Sequence, residues 1–188
     1  MRHWIRIRFL SAAATLLLAA PLHAQQPGTL VADLLTDIDQ VRQKLTSLAQ
    51  AIPADRWSWR PGQGVRSVGE VYLHVAADNY LLPTGLGTPA PGETGIKGDD
   101  YATVQAYEGK PLSKEAIIAE MERSFAHLRR AMEATSVGPM SGTVSMFGQS
   151  FSRQGFLILT TTHLHEHLGQ LIAYARSLGV VPPWSQGG

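Results

Sequence analysis

Apolar residues recur every three or four positions from Thr29 to Ala51, at Leu30, Leu34, Ile38, Val41, Leu45 and Leu48. That spacing lays one stripe along an amphipathic helix and gives a strand no buried face. Pro53 ends the pattern. A second helix starts at "SVGE", where Ser67 caps the backbone N–H of Glu70 and Glu70 reaches back, a capping box, and it runs to about Leu82. Residues 83–112 hold Pro83, Pro89, Pro91, Pro111 and six glycines, and read as a long irregular connection. Ser113 caps a third helix carrying Ile117, Met121, Leu128 and Met132, which ends before Gly138 and Pro139. The fourth begins near Ser152 and stops at Leu178, before Gly179, Pro182 and Pro183. "TVSMFGQSF" suits a short strand or hairpin, but one strand makes no sheet. Four amphipathic helices with a long crossover between the second and third predict an all-α four-helix bundle, which binds ligands and metals with side chains from facing helices.

The start of the chain follows other rules. Arg2, Arg6 and Arg8 precede an apolar run from Phe9 to Ala20, then small residues before Gln25, the layout of a secretory signal peptide cut after Ala24. The run is twelve residues, short of the roughly 20 that span a bilayer, so cleavage would leave no integral membrane segment. The expected organisation is a leader over 1–24 and one domain over 25–188, exported and periplasmic. Loss of the leader takes three of 16 basic residues and none of 15 acidic ones, leaving 13 against 15, a formal charge of −2. A mildly acidic chain without a basic stripe has no electrostatic footprint for nucleic acid. It has no cysteine, which excludes disulfides and thiolate chemistry of its own. A small-molecule substrate is the expected partner, and a homodimer is compatible with such a chain.

Three histidines crowd into "HLHEH". A helix turns about 100° per residue, so His163 and His167 stack on one face and can converge on one ion, while His165 points about 200° away. Glu166 also points away from His167. His74, among valines and alanines in the second helix and in line with Val71, Val75 and Asp78, offers a third nitrogen. Three imidazoles leave a position open for water or substrate. Asp78 can accept an N–H hydrogen bond from a ligating imidazole, ligate directly, or act as a base toward bound water, and is the candidate catalytic residue. Each histidine, and Asp78, can equally be a hydrogen-bonded core or boundary residue. His127, among charges on the third helix, is set aside. The ion would be divalent; zinc, nickel, iron and copper all suit imidazole. A zincin needs H-E-x-x-H, a dinucleotide site G-x-G-x-x-G after a strand, and a serine hydrolase G-x-S-x-G; all three are missing.

His74, followed ninety residues later by His163-x-x-x-His167-x-Gly169-Gln170, resembles the DinB/YfiT-like superfamily. "DRWSWRPGQGVRSVGEVYLHVA" and "GQLIAYARSLGVVPPW" extend the likeness over nearly the whole mature chain. The resemblance implies a bundle with parallel second and third helices, and a divalent metal on His74, His163 and His167. Relatives of known chemistry include transferases and isomerases that use small thiols, and an exported setting departs from that cytoplasmic chemistry. Gly169 is read as allowing close helix approach, Gln170 as a hydrogen-bonding group near the site, and Trp57 and Trp59 as packing. The expected function is a metal-dependent enzyme of transferase or hydrolase type; the alternative is a binding or scaffold module whose metal is structural or absent.

Overall fold

The computed structural model describes residues 29–135 and 139–186. The expected leader lies outside these residues. Five helices and one hairpin make up the fold: α1 (Leu30–Ala51), α2 (Val68–Gly85), α3 (Tyr101–Glu108), α4 (Lys114–Ala134), β1 (Thr143–Met146), β2 (Gln149–Ser152) and α5 (Arg153–Ser177). Short 3₁₀ turns occupy Ala54–Arg56, Gly92–Thr94 and Pro183–Ser185. Each bundle helix starts at a hydroxyl cap that accepts a backbone N–H: Thr29, Ser67, Ser113 and Ser152. At Ser67 the capping box is complete, with Glu70 accepting the Ser67 N–H at 2.6 Å.

The bundle consists of α1, α2, α4 and α5. α2 packs most extensively on α4 and also on α5, while α1 packs on α5 and α4. Consecutive helices α1 and α2 therefore lie diagonally opposite. The pairs Asn79–Ser124 and Tyr80–His127 advance together along α2 and α4, so these two helices are parallel. Arg42–Glu122 and Asp39–Arg129 run in opposite senses, making α1 and α4 antiparallel. Gly85, at the end of α2, lies beside Phe156 at the start of α5, so α2 and α5 are antiparallel. Parallel neighbours need a connection that returns the length of α2, about 27 Å at 1.5 Å per residue. The crossover between Leu86 and Ser113 supplies it.

That crossover is not irregular throughout, as its glycines and prolines suggest. It contains α3, capped by Asp100 and anchored on α2 by the buried Val104 and Tyr107. Covered by α3 as well as by α4 and α5, α2 is buried on nearly all sides from Val68 to Pro83. It also runs past the expected end at Leu82, taking Pro83 into its last turn. Gly85 sits where a Cβ would lie 3.1 Å from Met146 and Phe156, so a small residue is needed there. "TVSMFGQSF" forms a hairpin with Val144 opposite Phe151 and a turn at Phe147–Gly148. Both turn residues have positive φ, 54° and 70°, the backbone of a tight two-residue hairpin turn.

One continuous core joins all these elements, with Leu45, Leu48, Tyr72, Phe125, Leu128, Phe156 and Leu157 fully enclosed. Truncating a buried leucine here to alanine costs about 2–5 kcal/mol. Among the described residues no helix is long and apolar enough to cross a membrane.

Candidate metal centre

His74 and Asp78 lie one turn apart on α2, and His163 and His167 one turn apart on the facing α5. Antiparallel packing brings the two pairs together. The imidazole centroids are 5.4 Å (His74–His163), 4.6 Å (His74–His167) and 4.4 Å (His163–His167) apart, with ring planes at 81°, 88° and 81°. One donor atom from each ring lies within 4.8 Å of the others.

The far nitrogens of two rings are already engaged. His74 Nδ1 is 2.6 Å from Glu108 Oε1, and a carboxylate only accepts, so Nδ1 donates in this bond. His167 Nδ1 is 2.9 Å from Gln170 Oε1, and the Gln170 amide donates to the Tyr174 hydroxyl at 2.9 Å. Trp59 braces Tyr174 edge to face at 5.4 Å. His163 Nε2 is buried without a hydrogen bond, although Asp78 Oδ2 approaches to 2.7 Å outside hydrogen-bonding geometry. The same oxygen is 3.4 Å from His74 Nε2. Asp78 thus faces the near nitrogens of His74 and His163, and the far nitrogen of His74 belongs to Glu108.

A buried carboxylate and an imidazole nitrogen this close need a proton or a cation to share between them. A divalent cation fits this donor set: imidazole nitrogens from two facing helices, the far sides of two held by acceptors, and a carboxylate alongside. Burial drives the His167 pKa down to about 4; neighbouring His163 and His74 add to the fall, against the pull of the Gln170 hydrogen bond. The ring is therefore neutral at pH 7, as a ligand must be. Burial pushes Glu108 up, but the hydrogen bond from His74, with Arg66 at 3.1 Å, holds it below the ordinary range. His74, Asp78 and Glu108 form a second group with metal-compatible spacing.

His165 stands apart, half exposed, with Nε2 2.7 Å from Asp37 on α1. Glu166 is exposed. Gly169 is not a close-approach glycine, since a Cβ there would meet nothing within 4 Å. Trp57 stacks on Tyr72 at 5.1 Å and donates its indole N–H to the Ile52 carbonyl, a packing role. His127, dismissed for its charged neighbours, is buried against Tyr80, and burial, then the Arg130 charge, lowers its pKa. Its phase with Ser124 and Ala131 carried that signal, because α4 buries all three. Glu108 is the site residue that sequence reasoning missed.

A family model described as the DinB superfamily matches residues 37–171. Among solved structures, the chain is similar to a DinB-like protein from Bacillus cereus ATCC 10987, at 17% identity over 81% of this chain and 95% of that one, with a TM-score of 0.63. A DinB-like protein from Bacillus subtilis follows at 19% identity, covering 83% and 99%, with a TM-score of 0.54. A mycothiol-dependent maleylpyruvate isomerase shares the fold at 16% identity, covering 85% of this chain and 67% of that one, with a TM-score of 0.57. No curated protein matches in sequence.

Proposed function

The chain belongs to the DinB superfamily, and from that premise we propose that it is a metal-dependent enzyme of transferase or hydrolase type, acting on a small molecule. The convergence of one donor atom each from His74, His163 and His167 within 4.8 Å, on two facing helices, is the observation that carries this reading. His74, His163 and His167 would each hold the ion through Nε2. A divalent zinc, nickel or iron held there would polarise a substrate oxygen or sulfur, or bring the pKa of a bound water or thiol toward neutrality.

The remaining work falls to the chain's own groups. Asp78 Oδ2, on the same side as those nitrogens, accepts the proton that a substrate or water gives up there and returns it to the product. Gln170 and Glu108 keep two rings aimed. α3 covers α2 beside His74, which limits water on that side. The isomerase neighbour uses mycothiol, which makes thiol-bearing substrates a first class to screen.

Tag-free protein, repleted with zinc, nickel or iron(II), should bind close to one ion per chain, and azide or imidazole should perturb the spectrum of a cobalt-substituted sample. Metal far below stoichiometry would sink the reading. A tightly held ion that admits no added ligand would turn it into a structural centre. We also infer that the enzyme works after export. The basic start and short apolar run of residues 1–24 support this, and a mature N-terminus at Gln25 in periplasmic extracts is the expected result.

A further inference from the structure

We propose that Glu108, delivered by the crossover helix α3, is a positioning residue that fixes His74 as its Nδ1–H tautomer and so presents Nε2 to the metal; the metal part rests on the function proposed above. His74 Nδ1 and Glu108 Oε1 are 2.6 Å apart, a charge-assisted hydrogen bond at the short end of its range. The other carboxylate oxygen accepts from Arg66 Nη2 at 3.1 Å, so the carboxylate is held at both ends. Arg66 immediately precedes the Ser67 cap of α2, and Glu108 is the last residue of α3. The carboxylate therefore ties the start of α2 to the end of α3, with the imidazole between them.

Two alternatives for the same contact fail on geometry. Glu108 does not share the ion-facing side of His74, because it meets Nδ1 while Asp78 lies toward Nε2. It is not a surface ion pair either, since its side chain is only 15% exposed and that of His74 10%. A carboxylate behind a ligating imidazole sets tautomer and ring orientation and raises ligand basicity, and losing such a partner costs 10–100-fold in metal affinity. His167 shows the same arrangement with a neutral acceptor, Gln170. The two flanking rings are thus aimed by different chemistry, one from its own helix and one from the crossover.

The test compares wild type, Glu108→Gln and Glu108→Ala. Nitrogen-15 NMR of the imidazoles in metal-free protein reads the His74 tautomer directly, and competition with a chromophoric chelator reads zinc affinity. Wild type and Glu108→Gln, whose amide oxygen still accepts, should keep His74 as Nδ1–H; Glu108→Ala should lose that preference and bind zinc at least tenfold more weakly. An unchanged tautomer in Glu108→Ala would overturn the proposal, as would wild-type zinc affinity in that variant. If wild type binds no metal, the functional reading fails, yet the tautomer comparison still decides the role of Glu108. Should Glu108→Ala not fold, Glu108→Gln decides alone: loss of the Nδ1–H form there contradicts the proposal, and its retention supports it.

Discussion

Along the α1–α4 seam, acids meet cations: Glu122 bonds Arg42 at 2.8 Å and Thr46, while Arg129 bridges Asp39 and Glu133. Along the α2–α5 seam, three imidazoles and Asp78 meet one another instead. The first seam is balanced within itself, and its groups are about a third or more exposed, so each pair is worth only about 0–1 kcal/mol. The second is more deeply buried and gathers three imidazoles around one carboxylate. Polar residues between helices thus separate into acid–cation pairs and a set of donors that could converge on an ion. Counting charges does not distinguish them; matching donors to acceptors does.

The comparison breaks first at its strongest point. His163→Ala should abolish stoichiometric metal binding, as should His74→Ala and His167→Ala, read by metal analysis of tag-free protein. Variants of Asp39 or Glu122 should leave metal content unchanged. Full occupancy in His163→Ala would place the α2–α5 seam in the same category as the first.

Acid should sharpen the contrast in metal-free protein. The folded His167 pKa is lowered to about 4, beneath its ordinary 6.5, so the unfolded chain binds more protons between those values. The contribution is complete above pH 6.5 and is lost as pH falls toward 4. Thermal melts in a chelator should show Tm dropping through that window, with a shallower drop in His167→Gln. Equal slopes would show that His167 does not control the acid response.

His165→Ala should keep its metal and cost no more than about 1 kcal/mol, the scale of an exposed ion pair, by chemical denaturation. Metal loss in that variant would refute the helix-face assignment. The smallest effect belongs to the first seam. A double-mutant cycle on Arg42 and Glu122 should return a coupling of about 0.2–1 kcal/mol that shrinks in salt.

Four helices were legible because local rules wrote them: stripes of apolar residues, hydroxyl caps, and stops at Pro53 and Gly179. The pairing of His163 with His167 followed from helical pitch alone, and placing His74 and Asp78 opposite them needed only facing helices. α3 escaped because eight residues with two buried anchors, Val104 and Tyr107, make too short a pattern amid glycines and prolines. Glu108 escaped with it, since its bond to His74 spans 34 positions and depends on where the crossover lands. The burial of His127 shows in its helical phase rather than in its adjacent charges. Local order shows in a sequence; contacts made by a connection over a neighbouring helix do not.

The diagonal placement of α1 and α2 has a consequence for how the chain is made. A nascent chain that has produced only α1 and α2 has not made α4 and α5, on which α1 chiefly packs. Ile38, Val41, Leu45 and Leu48 must wait for segments that emerge much later, so native docking of α1 is non-local. The apolar face of α1 is therefore fully covered only once both α4 and α5 have been made.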